Sequence, residues 1–322
     1  MTDPTVLVLG ASGRFGRAAV QAFSRARWRT FAQFRGEPGE LPPGVVPIRA
    51  SLEDIGSIVS QAAGTGIVVH AANPPYSRWR AQLLPMAEQA IRIATRLRAS
   101  LMMPGNVYGF GESMPAVLGE NTPEQPSTRK GHLRVALEAR LRAAARDGKL
   151  ASVVILRAGD FYGSGTGSWL DLAILKSRDR GRLVYPGPLD VPHAWAFLPD
   201  LARAFVAVAR YPKLRPFENI HFPGHTLTGT ALLDAVEKGL ATLGALPAGG
   251  LQRTEMPWLA MRLGSPFVPM LREVVEMRYL WNEPHALSGT RLAELASDLP
   301  TTPVDEAMLV ALRALGVAAT PR

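Results

Sequence analysis

Apolar residues in the first half of the chain fall into short runs, separated by longer segments that place apolar residues on one helical face. The runs predict strands at 6–9, 30–34, 45–48, 67–70, 101–103 and 153–156, and the longer segments predict helices at about 54–62, 79–98 and 128–146. Strands that alternate with helices are typical of a parallel sheet covered on both faces. With right-handed crossovers this is a doubly wound α/β fold, whose ligands lie at the carboxyl ends of the strands.

The pattern changes after residue 156. A glycine-rich segment over 163–167 indicates a flexible loop, and helices are predicted at about 228–243, 267–281 and 304–315. We therefore expect a smaller, mainly helical C-terminal lobe. The expected division is a nucleotide-binding domain over 1–165, also using about 182–224, and a substrate-covering lobe over 226–322 with about 166–181.

Three glycines spaced three residues apart, Gly10, Gly13 and Gly16, directly follow the first strand and precede the first helix. In this context the glycines provide a tight bend, close approach of the backbone to a pyrophosphate, and close packing of helix on sheet. The pattern predicts a Rossmann-type dinucleotide site, with Ser12, Arg14 and Phe15 in the same turn.

The end of the second strand indicates which dinucleotide is preferred. An acidic residue there would bind a ribose 2′-hydroxyl, but this chain has Arg35. We expect Arg35 and Arg14 to converge on a 2′-phosphate, which favours NADP over NAD as the cofactor. The competing interpretation is that Arg35 is only one of many arginines on a solvated strand end.

Composition narrows the class of protein. The 322 residues are 47% hydrophobic and 20% charged, which suits an ordinary globular protein. The net charge of +9 raises the question of nucleic acid, but the basic residues are mostly arginines scattered along the chain, which argues against that partner. The absence of cysteine excludes disulfides and thiolate chemistry. Without a leader-like start, a long apolar stretch or metal-ligand spacing, we expect a cytoplasmic protein with no membrane partner and no metal.

Further motifs follow in order through about the first 210 residues: Ser51-Leu52-Glu53-Asp54, Val68-Val69-His70-Ala71-Ala72, Val107-Tyr108-Gly109, Leu156-Arg157-Ala158-Gly159-Asp160 and Phe197-Leu198-Pro199-Asp200. With the glycine turn, they make the chain resemble an extended short-chain dehydrogenase/reductase of the NAD-dependent epimerase/dehydratase family. The resemblance implies that Ser51 and Leu52 approach the adenine, that Ala71 and Ala72 line the cofactor, and that Ala158 lies near the nicotinamide. It also implies a homodimer by analogy.

The family's catalytic Ser, Tyr and Lys are replaced in this chain by Pro104, Lys130 and Arg134. One interpretation is an enzyme in which Lys130 donates a proton or polarises a carbonyl and Arg134 contacts the ribose, which requires a lowered Lys130 pKa. Within this interpretation, Tyr108 or Tyr162 is an alternative proton donor in the same cleft. The second interpretation is an inactive NADP-binding redox sensor. A third is that Lys130 and Arg134 belong to a solvated helix face.

Candidate substrate residues surround the expected opening of the cleft: Asn73, Tyr76, Asn106, Asp160, Tyr162, His193 and Trp195. They suit a small-molecule carbonyl or hydroxyl compound, planar or acidic, whose identity the sequence does not give. His193 has no carboxylate partner evident in the sequence, so it is a weak candidate base.

Overall fold

The computed structural model describes residues 4–317. The strands are β1 (Thr5–Leu9), β2 (Arg29–Phe34), β3 (Val46–Arg49), β4 (Ile67–His70), β5 (Ser100–Gly105), β6 (Val117–Leu118), β7 (Val153–Arg157), β8 (Asp160–Tyr162), β9 (Arg182–Tyr185), β10 (His193–Phe197), β11 (Phe217–His221), β12 (His225–Leu227), β13 (Gln252–Glu255) and β14 (Ala286–Leu287). The α-helices are α1 (Arg14–Arg25), α2 (Ile55–Gln61), α3 (Trp79–Leu97), α4 (Arg129–Arg146), α5 (Leu198–Ala209), α6 (Gly229–Thr242), α7 (Trp258–Gly264), α8 (Pro269–Val275), α9 (Thr290–Leu295) and α10 (Val304–Ala314).

A seven-stranded sheet forms the centre of the molecule, in the order β11-β7-β5-β4-β1-β2-β3. Every neighbouring pair in it is parallel. The order reverses between β1 and β4, the point at which a doubly wound sheet opens a crevice for ligands. The predicted Rossmann-type fold is therefore confirmed.

Alternation along the strands explains why helices cover both faces. In β1, Val6 and Val8 pack with α1 and α5, whereas Leu7 and Leu9 pack with α2, α3 and α4. Successive side chains of a strand point to opposite faces, and all four of these side chains are fully buried. A strand that is apolar on both faces fits only between two helical layers.

The C-terminal part is mainly helical, as expected, with α6, α7, α8, α9 and α10 between 229 and 314, and short strands form small sheets beside these helices. β13 pairs in parallel with β9, and β10 lies between β8 and β12 in a three-stranded sheet. The single helix predicted over 267–281 is wrong, because α8 covers only Pro269–Val275 and is followed by a separate 3-10 helix at Arg278–Trp281. Proline is favoured in the first turn of a helix and cannot continue one, so Pro266 and Pro269 separate α8 from α7, which ends at Gly264, and the two helices form a hairpin.

Among residues 4–317, no helix combines the length and the apolarity needed to span a lipid bilayer.

Candidate active site

One cleft of about 1050 Å³ runs along the carboxyl ends of the central strands. The glycine turn after β1 and the ends of β2, β4 and β5 form its floor, and the hairpin of α7 and α8 contributes residues to its wall. The cleft therefore lies where a doubly wound sheet binds its ligands.

Two of the three glycines are required by the backbone around them. Gly10 has a φ of +76°, and a Cβ there would lie 2.6 Å from the backbone of Ala72. A Cβ at Gly16 would lie 2.2 Å from the carbonyl oxygen of Gly10. Any side chain at either position would force the turn apart, because real Cβ atoms do not come so close to backbone.

Gly13 differs, because a Cβ there would meet nothing closer than the Gly10 oxygen at 3.4 Å. Gly13 lines the cleft and precedes α1 without a side-chain cap. The first amides of α1 are thus not capped by a side chain, and the helix dipole favours negative charge at this end. The residues present fit a pyrophosphate group here.

Gln33 holds the turn in place. Its Oε1 accepts a hydrogen bond from the Gly10 amide at 2.9 Å, and its Nε2 donates to the Ala50 carbonyl oxygen. Gln33 is buried in β2, so the side chain links the glycine turn to the chain after β3. Sequence reasoning missed this residue, although a polar residue inside an otherwise apolar strand was the available signal.

The predicted convergence of two guanidiniums is not what the structure has. Arg35 follows β2 and lines the cleft as an exposed side chain. Arg14 instead donates through Nη1 to the Phe161 carbonyl oxygen in β8 at 3.1 Å and runs beside Gly167. Because β8 follows β7, on the other side of β1 from β2, Arg14 is directed away from Arg35. Of these two arginines, only Arg35 lies where a 2′-phosphate is expected.

Most of the residues predicted to contact the cofactor line this cleft: Gly10, Ser12, Gly13, Arg14, Phe15, Arg35, Ser51, Leu52, Ala71 and Ala72. Gly16 contributes through packing of α1 on the turn. Ala158 does not line the cleft, because it is fully buried against the α1 and α5 layer. The next three residues, Gly159, Asp160 and Phe161, do line the cleft.

The hydroxyls of Tyr76 and Tyr108 are hydrogen-bonded to each other inside the cleft, at 2.7 Å. Burial raises the pKa of Tyr108 well above its ordinary value, and the negative charge that Tyr76 would carry acts in the same direction. Burial also raises the pKa of Tyr76. Both phenols therefore keep their protons at neutral pH and can donate hydrogen bonds.

Arg134 brings positive charge to the same place. Its guanidinium lies 4.6 Å from the centre of the Trp79 ring, and its Nη2 is 3.5 Å from Asn73 Oδ1. The side chain is buried, and its Nε has no hydrogen-bond partner. His70, at the end of β4, also lines the cleft, and burial followed by the charge of Arg134 lowers its pKa to about 4.

Lys130 is not free for chemistry in the cleft. Its ammonium is ion-paired with Glu273 and Glu276, and the Nζ–Oε2 distance to Glu276 is 2.8 Å. Its backbone amide donates to the same Glu276 at 3.2 Å. The side chain is only 2% exposed and does not line the cleft. Lys130 thus anchors α8 to the first turn of α4. The third interpretation, in which Lys130 and Arg134 belong to a solvated helix face, is wrong, because both side chains are buried.

Three of the expected substrate residues lie in the protein interior. Tyr162 donates to or accepts from His225 Nδ1 at 2.7 Å, and Trp195 packs beside it. His193 stacks on Trp281 with ring centres 4.3 Å apart, and its Nε2 lies 2.9 Å from Asp160 Oδ2. His193 therefore has a carboxylate partner that the sequence did not reveal. None of the three lines the cleft, because β8 and β10 turn these side chains into the lobe core.

The other expected site residues do meet in the cleft: Asn73, Tyr76, Asn106, Tyr108, Arg134 and Asp160. Pro104 lines it too. Residues 4–317 contain no group of three or more side chains arranged to hold a metal ion.

No protein-family model matches the sequence, and neither does any curated protein. Solved structures do match, over nearly the whole length. UDP-glucose 4-epimerase from Thermotoga maritima, solved with UDP-glucose, is 14% identical with a TM-score of 0.74, covering 96% of this chain and 98% of that one. UDP-glucuronic acid 4-epimerase from Bacillus cereus, solved with NAD, gives the same identity, TM-score and coverage.

The Bordetella bronchiseptica enzyme WbmH, in complex with NAD+, is 15% identical with a TM-score of 0.73 and covers 97% of this chain and 98% of that one. At these identities the likeness shows the fold. The chain therefore has the Rossmann-type fold of these epimerase structures, complete with the C-terminal part.

Proposed function

We propose that this protein binds a nicotinamide dinucleotide, with NADP preferred over NAD, and acts as an oxidoreductase or epimerase-like enzyme on a carbonyl or hydroxyl compound. The observation that carries the proposal is the continuity of the cleft. The glycine turn and Arg35 line the same cavity as the Tyr76–Tyr108 pair and Arg134. The motif resemblance and the fold shared with NAD-bound structures support the same function.

The dinucleotide would lie against the turn of Gly10 and Gly13, with its phosphates at the start of α1. When bound, the nicotinamide accepts or donates a hydride. The protein's own part is to hold a proton at the Tyr108 hydroxyl and to place the Arg134 charge beside it. Such a charge stabilises negative charge that develops on a substrate oxygen, and the buried phenol supplies the proton.

The proposed preference for NADP is argued from the residue that follows β2. No carboxylate follows β2 at the position where one would bind the ribose 2′-hydroxyl, and Arg35 stands there exposed. Gln33 already donates to the Ala50 carbonyl oxygen and accepts from Gly10, so its amide is engaged. A guanidinium forms paired hydrogen bonds to a phosphate, which favours the phosphorylated cofactor.

The second candidate is a protein that binds NADP and reports its redox state without turnover. The ion-paired state of Lys130 favours it, because the residue that replaces the family tyrosine is held by Glu273 and Glu276 outside the cleft. In this candidate function the protein still binds the cofactor, but Tyr108 and Arg134 take part in no reaction.

Titration with NADPH and NADH, followed by nicotinamide fluorescence, tests cofactor binding. We expect tighter binding of NADPH, and a loss of about tenfold or more in the Arg35→Asp variant, because a charge-assisted bond is replaced by repulsion. Arg92→Asp is the matched control, since Arg92 is an exposed arginine on α3 outside the cleft. Equal affinity of the parent protein for both dinucleotides would remove the NADP preference, and no binding of either would remove the function.

Oxidation of NADPH in the presence of a panel of aldehydes and ketones separates enzyme from sensor. Turnover that disappears in Tyr108→Phe supports the enzyme. Cofactor binding with no turnover over the whole panel supports the sensor.

A further inference from the structure

The cleft beyond the tyrosine pair has mainly apolar walls. They include Trp79 and Met86 of α3, Trp169 before a π-helical turn at Leu170–Ile174, Met256, Met261 of α7 and Val274 of α8. The α8 helix lies close to this end, because Lys130, ion-paired with Glu273, also lies 5.5 Å from the centre of the Tyr76 ring. A ligand in this space would exchange water mainly for hydrocarbon and thioether surface.

The cleft lining also includes the polar side chains of Asn73, Gln82, Gln89, Asn106 and Asp160, and its two phenols and Arg134 meet at one place. The Tyr76 and Tyr108 hydroxyls are paired, and Arg134 lies over Trp79 beside them. A pocket in which a few polar groups converge between mainly apolar walls is complementary to a molecule with one oxygen function on an apolar body.

Charge along the cleft argues against a substrate with a diphosphate. Within residues 4–317, the basic side chains that line the cleft are Arg14, Arg35, Arg134 and Lys176. Arg14 is bound to the Phe161 carbonyl oxygen, and Arg35 belongs to the cofactor end. Arg134 is the cation of the Tyr76–Tyr108 pair at the reacting end, which leaves Lys176, an exposed side chain, as the remaining cation. Recognition of a diphosphate typically uses several charge-assisted hydrogen bonds.

We propose that the substrate is an apolar ketone, or the corresponding secondary alcohol, rather than a nucleotide sugar; this inference rests on the proposed function. The oxygen accepts hydrogen bonds at Tyr108 and Arg134, and the hydrocarbon body packs under the hairpin of α7 and α8. Methionine side chains adapt to irregular shapes, so Met256, Met261 and Met270 suit an apolar body of variable outline.

Calorimetric titration with methyl ketones of increasing length, from butanone to decan-2-one, tests the proposal without turnover. We expect affinity to rise about fourfold for each methylene group buried, and UDP-glucose to bind more weakly than decan-2-one. The titrations are made on the full chain with and without NADP+, which forms no productive complex with a ketone.

A substitution that introduces a negative charge into the wall of the cleft tests whether the ketone binds there. Met270 lines the cleft and is 49% exposed, so Met270→Asp leaves the fold intact and is expected to weaken decan-2-one binding about tenfold while butanone is little affected. Leu263→Asp on α7 is the matched control, because Leu263 is 69% exposed and does not line the cleft. Leu172→Asp, which also lines the cleft and is 62% exposed, is a second variant with the same expectation as Met270→Asp.

Parallel NADPH titrations distinguish the two proposals. NADPH binding without a dependence on ketone length, or tighter binding of UDP-glucose than of decan-2-one, overturns the substrate class and leaves the proposed function standing. Equal effects of Leu263→Asp and Met270→Asp also overturn it. Length-dependent ketone binding with no binding of either dinucleotide overturns the proposed function and leaves the apolar site standing as a binding property.

Discussion

The Tyr108 hydroxyl lies 2.7 Å from the Tyr76 hydroxyl, and the two phenols form a hydrogen-bonded pair in the cleft. We predict that Tyr108→Phe lowers turnover by about 100-fold or more, because loss of a positioned proton donor typically costs that much, while NADPH affinity is unchanged. Burial raises the pKa of Tyr108, so the phenol keeps its proton through neutral and mildly basic pH. Turnover is therefore expected to show no basic limb from this group below pH 10, measured as kcat against pH.

The control for this variant is Tyr185→Phe. Tyr185 is also buried, its hydroxyl has no hydrogen-bond partner, and it does not line the cleft. Equal turnover of the two variants would contradict a role of Tyr108 in proton transfer.

The glycine turn provides a matched pair of substitutions. Gly16→Ala places a Cβ 2.2 Å from the Gly10 carbonyl oxygen, so we predict a loss of stability of about 2 kcal/mol, within the range for forced overpacking. Gly13→Ala meets nothing closer than 3.4 Å and should fold normally. Its methyl group lies in the cleft where a pyrophosphate would approach, so NADPH affinity should fall about tenfold or more.

Urea unfolding and NADPH titration of both variants check this assignment. A stable Gly13→Ala protein with unchanged NADPH affinity would show that the dinucleotide does not lie against the turn.

The sheet and the glycine turn could be predicted because their causes are local. Val6 to Leu9 is apolar at every position, which fits a strand between two helical layers, and Gly10 follows directly. The helix predicted over 267–281 is divided after Val275, although its apolar residues keep a helical period as far as Trp281. Pro269 marks the start of α8, but residues 275–278 contain no proline or glycine that would mark its end.

The surroundings of Lys130 and His193 could not be predicted from the sequence, because they are formed by contacts between residues far apart in the chain. Lys130 of α4 meets Glu273 and Glu276 at α8, and His193 meets Asp160 because β10 pairs with β8. Because the paired residues are far apart in the chain, no local spacing or periodicity predicts either pairing. Tyr108 could be placed near the cleft because it follows β5, whose carboxyl end is at the crevice.

The buried Lys130 predicts a specific loss of stability. Lys130→Met leaves Glu273 and Glu276 without their cation, and removing one partner of a buried pair costs about 3 kcal/mol. The lower part of the usual range applies because the two carboxylates are 15% and 13% exposed. The free energy of unfolding in urea measures the loss.

Arg129→Met is the control for Lys130→Met, since Arg129 pairs with the same glutamates but is 64% exposed. Exposed pairs contribute less than about 1 kcal/mol, so this variant should remain close to the parent protein. Replacing both glutamates by glutamine in the Lys130→Met background should restore part of the loss. Equal destabilisation by the two single variants would contradict a buried anchor.

Buried histidines make the fold sensitive to acid. Burial, followed by the charge of Arg157, lowers the pKa of His221 to about 4, and burial followed by His193 lowers that of His285 to about 3. With His70, also near 4, these groups are neutral in the folded protein and take up protons near pH 6.5 when it unfolds. Because the unfolded chain binds more protons, stability falls with acidification through pH 6.5 toward 4.

Each of these histidines is expected to cost about 2 kcal/mol of unfolding free energy between pH 7 and pH 5. His70→Asn should reduce that pH dependence by about the share of one histidine, whereas His132→Asn, at an exposed position on α4, should leave it unchanged. Urea unfolding at a series of pH values makes the comparison. A free energy of unfolding that stays constant from pH 7 to pH 5 in the parent protein would contradict the neutral, buried state of these side chains.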